Sequence, residues 1–391
     1  MSPSLIVFFK EVRENLRDRR TLINSLITGP LMAPLFFVLI INAAVTREAD
    51  RAEKVLKVPV IGAEHAPNLV AALKRSNIEI VAAPVDPEKA IRDQDSDMVL
   101  RIPADYADAW NKGEPAQVEL LFDNSRQDSG ALVDRVRKMV EGYSSTVGAQ
   151  RLVVRGISPT VARPIVIASR DQSTPQSRSG IMFGILPYFF ILGAFMGGMP
   201  LAIDTTAGER ERQSMEPLLI NPVARWKIIV GKLMATSAFA MTTVFLGILA
   251  FALAGRAMPT EKLGIVLNFG PQFIASTLFV MAPLAVLLAS LQTFVAAFAR
   301  SYREAQTYLA VLTFVPVVPT LLLVLYPTKT QTWMFATPLI GQHVSILGFL
   351  RGDTIAFSSL LLCFVTTAIA ALLLVWATTR LYEGERVAIT G

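Results

Sequence analysis

The charged side chains of one segment, residues 209–232, are placed to act on a partner protein, because the segment separates two long apolar runs. Its acidic residues are Glu209, Glu211 and Glu216, and several basic residues stand among and after them. Carboxylates and guanidinium groups outside an apolar run form ion pairs with complementary charges on another surface. The segment therefore predicts a surface that receives force from a soluble partner.

No pattern in the sequence indicates a catalytic centre. The phosphate-binding pattern G-x-x-x-x-G-K-[ST] is absent, so the chain has no ATP site of that kind. The zinc pattern H-E-x-x-H and the nucleophile pattern G-x-S-x-G are absent as well. A single cysteine, Cys363, excludes a disulfide within the chain. We therefore expect no enzymatic activity, no bound metal and no cofactor in this chain.

The composition is typical of a polytopic membrane protein. Hydrophobic residues make up 52% and charged residues 17% of the 391 residues, which is too apolar for a soluble domain. A helix of about 20 apolar residues crosses the hydrocarbon core of a bilayer. Several runs without Asp, Glu, Lys or Arg are long enough to do so, and the charge-free runs are 21–46, 179–203, 233–255, 263–299, 305–328, 330–350 and 354–379.

The distribution of Lys and Arg predicts the orientation in the membrane. Residues 47–178 carry 19 basic and 19 acidic residues, so the net charge of +6 lies in the rest of the chain. There, 14 basic residues fall in the termini and in two loops on the same side, against 4 on the other side. Short loops rich in Lys and Arg stay in the cytoplasm. We therefore expect both termini to be cytoplasmic, 47–178 to lie outside, and the chain to reside in the inner (plasma) membrane.

An amphipathic helix is predicted in residues 1–20. The apolar residues at helical spacing are Leu5, Phe8, Phe9, Val12 and Leu16. The charged residues opposite them are Lys10, Glu11, Arg13, Glu14 and Arg17. Such a helix lies along the cytoplasmic interface of the membrane. The first transmembrane helix follows at 21–46, and we expect it to be a retained anchor.

Residues 47–178 are predicted to form an extracytoplasmic α/β domain between the first and second spans. Strand-like runs occur at 57–61, 78–82, 98–102, 117–122 and 164–168. Helical stretches are predicted between them near 66–76, 87–94 and 104–112, with a long helix at about 129–154. The alternation of strands and helices favours a layered α/β domain.

Residues 179–391 are predicted to hold spans two to six, near 180–202, 228–254, from about 272, 305–326 and 357–379. The uncharged run 330–350 contains Pro338 and Gly341. If this run spanned, the basic tail would move outside, so we interpret it as a re-entrant helical hairpin on the outer side. Two glycine pairs in span two, Gly180 with Gly184 and Gly193 with Gly197, favour close helix packing, either within the chain or between two copies.

The segment 204–227 is predicted to form a helix–break–short helix–break–helix element on the cytoplasmic side, with its charges facing the cytosol. Residues 204–215 can extend span two beyond the membrane as a charged helix. Pro217 cannot continue a helix, so the chain must turn there. Asn221 and Pro222 then combine a favoured N-cap with a favoured first helical residue, and Trp226 suits interfacial depth. The alternative is an ordinary basic cytoplasmic loop.

This element resembles the cytoplasmic motif of permeases of the ABC-2 family, which have the type V exporter fold. The family pattern is approximately E-x-E-x-G-T-L-E-x-L-L-x-x-P-V, followed later by G-K. The matching residues here are Glu209, Glu211, Glu216, Leu218, Leu219, Pro222, Val223, Gly231 and Lys232, whereas 213–215 depart from Gly-Thr-Leu. The N-terminal sequence FFKEVRENLRDRRTL, residues 8–22, resembles the connecting helix of the NatB-like sodium-efflux branch.

The resemblance implies a permease subunit that uses ATP hydrolysed by a separate ATP-binding subunit, with ATP and Mg held on that partner. It further implies a second permease chain, with a homodimer expected, among membrane lipids and without nucleic acid. The residues expected to couple to the ATP-binding subunit are Glu209, Arg210, Glu211, Arg212, Glu216, Pro217, Pro222 and Arg225, with Lys10, Arg13 and Arg17.

The substrate stays open at the level of sequence. The spans carry no central carboxylate for Na⁺, and backbone carbonyls at broken helices would have to substitute. The polar side chains that could assist them are Asn24, Thr28, Asn42 and Gln292. A drug, lipid or peptide is the alternative cargo. The alternative of another class is a membrane receptor or scaffold whose outer domain binds a ligand.

Overall fold

The structure is a computed structural model that describes residues 2–53, 55–125, 127–165, 167–214, 222–258, 260, 265–267, 269–326 and 328–383. The chain divides into two compact units. One comprises residues 1–46 and 172–391, and the other comprises residues 47–171. We call them the membrane unit and the inserted unit.

The inserted unit contains a four-stranded sheet with the strand order β2-β1-β3-β4. The strands are β1 Leu56–Ile61, β2 Ile78–Ala82, β3 Met98–Arg101 and β4 Glu119–Phe122. β1 pairs in parallel with β2 and β3, whereas β3 and β4 are antiparallel. The first four predicted strands are therefore present. The described residues of 164–168 form no strand, so the prediction of a fifth strand there is wrong.

Four helices accompany this sheet: Pro67–Arg75, Pro87–Arg92, Tyr106–Lys112 and Gln127–Val154. The core lies between the sheet and the helices, where Val58, Leu100 and Val136 are fully buried. At its edge the Trp110 ring stacks between Tyr106 and Tyr143, with ring centroids 5.8 and 6.0 Å away. A 3₁₀ turn, Pro159–Ala162, follows the long helix.

The membrane unit is helical. In the described residues, six helices are long and apolar enough to cross a membrane, which confirms the predicted number. We call them spans 1 to 6, and they contain Leu26–Ala43, Leu186–Glu211, Arg225–Arg256, Pro271–Ala296, Tyr302–Leu325 and Phe357–Glu383. The N-terminal helix is Pro3–Arg17, and a short helix, Arg19–Leu22, leads through a π-helical stretch, Ile23–Thr28, into the helix Gly29–Glu53.

Two helix starts differ from those predicted from the sequence. Span 2 does not begin at 180, because a separate helix, Pro175–Met182, ends before the chain resumes at Leu186. Span 3 begins at Arg225 with Ala224 as its N-cap, so the predicted start at Asn221-Pro222 is wrong. Pro222 lies in an exposed bend, and Asn221 lies outside the described residues.

Spans 2, 3 and 4 form the core of the membrane unit. Between 44% and 61% of their apolar windows is buried, against 11–17% for spans 1, 5 and 6, so the latter expose most of their apolar surface. Gly197 of span 2 lies against Thr243 of span 3, and a Cβ at Gly197 would lie only 2.1 Å from the Thr243 hydroxyl. This glycine therefore serves packing within the chain.

The run 330–350 forms two short helices, Thr332–Ala336 and Ile340–Arg351. Gly341 brings them together, since a Cβ there would lie 2.8 Å from the Phe335 carbonyl oxygen. Neither helix is among the six long apolar helices of the described residues. The longer one packs on spans 2 and 4 and the shorter one on span 6. The re-entrant position of the run 330–350 in a bilayer stays a prediction.

Candidate coupling site

The end of span 2 changes its helical geometry before it reaches the charged segment. Residues Asp204–Gly208 form a π-helix, and Glu209–Glu211 return to an α-helix. Pro200, four residues earlier, has no N–H to donate within the helix. The Thr205 and Thr206 hydroxyls donate to the carbonyls of Leu201 and Ala202 at 2.8 and 2.5 Å. π-helical turns are frequent at functional sites because they re-aim the residues that follow.

Glu209 is aimed into the protein and pairs with Lys232 of span 3. The Lys232 side chain is buried, with 1% of its surface exposed, and Glu209 is 7% exposed. The Lys232 ammonium donates to the Glu209 carboxylate and to the Thr205 carbonyl oxygen, the latter at 2.8 Å. A buried ammonium is tolerated only when it is paired and hydrogen-bonded, and both conditions are met here.

The N-terminal helix contributes two further charges to this pair. Glu11 is 2% exposed. The Lys10 ammonium lies 3.1 Å from the Glu11 carboxylate and 3.9 Å from that of Glu209. Burial raises the pKa of Glu11 above its ordinary value, while the positive charges of Lys232 and Lys10 oppose the shift. We call Lys10, Glu11, Glu209 and Lys232 the ion-paired junction, because it joins the N-terminal helix to spans 2 and 3.

Gly231 allows the N-terminal helix to approach span 3. A Cβ at Gly231 would lie 2.6 Å from the Ser4 carbonyl oxygen and 2.8 Å from the Val7 Cβ, so only glycine fits without a backbone shift. The neighbouring Lys232 then reaches the carboxylates. Glycine for close approach and lysine for charge therefore act together in the Gly-Lys pair of span 3.

Of the remaining residues predicted to couple to a partner, some form hydrogen bonds or ion pairs within the membrane unit, and others are exposed. Glu211 accepts a hydrogen bond from the Tyr302 backbone N–H at 2.7 Å, which caps the start of span 5. Arg210 donates to the Ala299 carbonyl oxygen at 3.0 Å, and Arg212 pairs with Asp204 at 2.9 Å. Arg225 donates to the Glu383 carbonyl oxygen at 3.4 Å, at the end of span 6.

Arg13, Arg17 and Pro222 are exposed, whereas Glu216 and Pro217 lie outside the described residues. The prediction that the charge of Glu209 faces the cytosol is wrong, because Glu209 is buried against Lys232. Glu211 and Arg212 keep exposed side chains, as the predicted surface requires.

A cleft of about 530 Å³ adjoins the junction. It lies between the N-terminal helix, the π-helical end of span 2 and the start of span 5, and its rim carries Glu14, Asp204 and Arg212. The cleft brings exposed charges of the N-terminal helix beside those of the 204–212 segment. The two stretches that the sequence assigned to coupling are therefore neighbours in the membrane unit.

Among the polar residues suggested for a cation, the three with described side chains, Thr28, Asn42 and Gln292, show no hydrogen bond to one another. The Gln292 side chain is fully buried and donates to the Phe195 carbonyl oxygen of span 2 at 2.7 Å. Its side-chain oxygen has no hydrogen-bond partner among the described residues. Thr28 is exposed and Asn42 is half-buried, and the side chain of Asn24 lies outside the described set.

Sequence reasoning missed the roles of Glu11 and Lys232. The amphipathic pattern assigned Glu11 to the solvated face, and Lys232 was recognised only as a match to a family pattern. A signal was present, since Lys232 directly precedes the charge-free run 233–255 and requires a nearby acid. Nothing in the linear sequence shows that this acid is Glu209 rather than Glu211.

The six long apolar helices are typical of a polytopic membrane protein. The sequence profile described as ABC-2 family transporter protein matches residues 5–380, so the chain belongs to the ABC-2 family and is a membrane subunit of that kind. It is similar to the ABC transporter permease protein NatB of Bacillus subtilis (strain 168), with 26% identity over 351 residues, covering 88% of this chain and 89% of that protein.

Proposed function

We propose that this chain is the permease subunit of an exporter that uses ATP hydrolysed by a separate subunit, which docks beside the ion-paired junction. The observation that carries this proposal is the junction itself. Lys232 and Glu209 form a buried contact between two of the three core spans, 2 and 3, and Lys10 of the N-terminal helix lies 3.9 Å from the Glu209 carboxylate. A push on the N-terminal helix would therefore move spans 2 and 3.

The docking surface would consist of exposed charges on the N-terminal helix and at the end of span 2. Arg13 and Arg17 are exposed on the N-terminal helix, and Glu211 and Arg212 are exposed at the end of span 2. Removing one partner of a desolvated interface pair costs about 2–5 kcal/mol, whereas exposed pairs contribute about 0–1 kcal/mol. The arginines are thus the cleanest probes, since neither of them is part of the ion-paired junction.

Charge reversal of Arg13 and Arg17 to Glu tests the docking surface. We expect the double variant to insert and fold normally, and its affinity for the ATP-binding subunit to fall by at least about 30-fold, which corresponds to about 2 kcal/mol. Arg256→Glu, at the opposite end of span 3, is the matched control and should leave association unchanged. Unchanged association of the double variant would refute this docking surface.

A measurement of ATP hydrolysis tests whether the ATPase activity belongs to a separate subunit. The purified chain should hydrolyse no ATP, and activity should require the separate subunit, because the phosphate-binding pattern is absent from the sequence. Hydrolysis by the isolated chain at a transporter's rate would contradict the proposal. It would also favour a nucleotide site of a kind that the sequence does not reveal.

The proposed topology places both termini in the cytoplasm and residues 47–178 on the extracytoplasmic side of the inner membrane. In a Cys363→Ser background, a membrane-impermeant thiol reagent added outside should label Ser125→Cys and leave Ser214→Cys unlabelled. Both positions are exposed in the structure, so access depends on the side of the membrane. The reverse pattern would overturn the orientation.

Sodium efflux is the substrate assignment that the resemblance of the N-terminal segment favours, with a drug, lipid or peptide as the alternative. The unpartnered oxygen of Gln292 supports a polar cargo, since it lies buried between spans 2 and 4. A receptor or scaffold is disfavoured by the family assignment and by six spans, because signalling by a receptor usually needs fewer. ATP-dependent ²²Na⁺ uptake into inverted membrane vesicles would support sodium efflux. Its absence would favour one of the alternative cargoes.

A further inference from the structure

The segment 151–170 of the inserted unit has an unusual surface. It contains Arg151, Arg155, Arg163 and Arg170 and no acidic residue. Its exposed apolar side chains are Val153, Val154, Ile157, Val161, Ile165 and Ile167. Six exposed large apolar side chains within one short segment are typical of a contact with another protein or with a membrane.

The four arginines of this segment differ in whether their side chains are free to bind another molecule. Arg151 is held by the inserted unit, since it donates to the Trp110 carbonyl oxygen at 2.9 Å and lies 4.4 Å above the Trp110 ring. Arg155, Arg163 and Arg170 are exposed. Arg163 donates to the Ser145 hydroxyl, a neutral partner that leaves its positive charge uncompensated.

Arg151, Arg155 and Arg163 border an open groove of about 1080 Å³, together with Val153 and Val154. The groove lies between the last turns of the helix Gln127–Val154 and the turn Pro159–Ala162, and Arg155 and Arg163 stand at it together with apolar side chains. Guanidinium groups bind phosphate oxygens in a bidentate manner. A groove with apolar walls and arginines suits a molecule that has an anionic phosphate and hydrocarbon chains.

We infer that the segment 151–170 is a membrane-contacting surface that binds anionic phospholipid, with Arg155 and Arg163 on the phosphate and the apolar side chains in the headgroup region. Basic and apolar residues without acids are the signature of interfacial segments on anionic bilayers. The segment is also joined by a short stretch of chain to the helix that precedes span 2. Only seven residues separate Ile167 from Pro175, where the helix before span 2 begins, so an extended chain covers at most about 30 Å.

A second copy of the chain is the less favourable occupant of this surface. In a two-fold dimer the same patch meets itself, so arginines would face arginines without carboxylates from this segment to balance them. A bilayer supplies the opposite charge and the apolar phase together. The inference does not depend on ATP-driven transport or on the side of the membrane that the inserted unit occupies.

The test uses the full-length protein in nanodiscs, with Cys363 replaced by Ser. A fluorophore is attached to Val161→Cys or, as the control, to Val85→Cys, a fully exposed valine of the same unit beside Asp86. Phosphatidylglycerol bearing a nitroxide on its headgroup is titrated into phosphatidylcholine discs. We expect quenching at position 161 at low lipid fractions, and little quenching at position 85.

Substitution of the two arginines tests headgroup recognition. In Arg155→Ser/Arg163→Ser the lipid fraction for half-quenching should rise by at least about tenfold, since each arginine near an anionic surface contributes roughly fivefold. Arg75→Ser/Arg92→Ser removes the same charge from exposed positions elsewhere in the unit and should change nothing. Equal quenching by nitroxide phosphatidylcholine, or no quenching at position 161, would overturn the inference. Disulfide cross-linking between copies through Val161→Cys without quenching would assign the surface to a protein interface and overturn it too.

Discussion

Replacement of Lys232 by Met is the sharpest test of the ion-paired junction. The substitution keeps a long, unbranched side chain and removes the ammonium. Glu209 would then lose its main counter-charge while it stays 7% exposed, and Lys10, 3.9 Å away, would be the nearest remaining cation. Removing one partner of a buried pair costs about 3–5 kcal/mol, because the other charge is left uncompensated. We expect a loss of stability of that size.

The matched control is Lys227→Met, five residues earlier in the same helix. Lys227 is half-buried, and its ammonium lies 5.6 Å from the centroid of the Trp226 ring. A cation–π contact at a partly exposed site contributes about 0.5–1 kcal/mol. The control should therefore lose at most about 1 kcal/mol when unfolding in mixed micelles is followed by tryptophan fluorescence.

A double-mutant cycle separates the interaction energy between Lys232 and Glu209 from other effects of each substitution on stability. In Lys232→Met/Glu209→Gln both charges are absent, and neutral replacements of buried pairs are often tolerated. The double variant should therefore be more stable than Lys232→Met alone, with a coupling energy of about 2 kcal/mol. A coupling energy near zero, or a Lys232→Met variant as stable as the control, would refute the pairing. If the junction also transmits motion, the double variant should fold and bind the ATP-binding subunit but transport poorly.

Three further outcomes follow from the same geometry. Gly231→Ala should destabilise the protein by about 1–3 kcal/mol, measured by the same unfolding assay, because its Cβ would meet backbone at 2.6 Å. Gly247→Ala, whose nearest neighbour would lie at 3.9 Å, should be neutral or better. Burial raises the pKa of Glu11 in the folded protein, so its protonated form stabilises the fold below pH 4.5, and this contribution is lost as the pH rises through the folded-state pKa. The stability of Glu11→Gln relative to that of the parent protein should therefore increase from acid to neutral pH. Gln292→Leu should lower transport of a polar cargo without changing association with the ATP-binding subunit.

The membrane-spanning helices could be predicted because their cause is local. A charge-free run of about 20 residues can satisfy its backbone in a bilayer only as a helix, so runs such as 233–255 and 354–379 specify spans without knowledge of their neighbours. A strand lacks this property, because its hydrogen bonds come from another segment. The run at 164–168 has β-rich composition, yet no described strand pairs with it.

The orientation of Glu209 and Glu211, the first two acids of the family pattern, could not be predicted from the sequence for a related reason. A π-helical turn adds about one residue to the helical repeat, which rotates everything after it by roughly 100°. The π-helix Asp204–Gly208 immediately precedes Glu209. A regular helical projection therefore gives the wrong phase for Glu209 and Glu211. Only the tertiary structure shows which acid turns inward.

The positions matched in the family pattern acquire separate physical roles. Glu209, Gly231 and Lys232 form one contact in this protein, since Gly231 admits the N-terminal helix and Lys232 pairs with Glu209. Glu211 is bound instead to the start of span 5 through the Tyr302 N–H. The two acids therefore connect the end of span 2 to two different elements, Glu209 to Lys232 of span 3 and Glu211 to the start of span 5. We predict that a partner that displaces the 204–212 segment moves spans 3 and 5 together with span 2, because releasing Glu209 alone would leave Lys232 buried without its carboxylate.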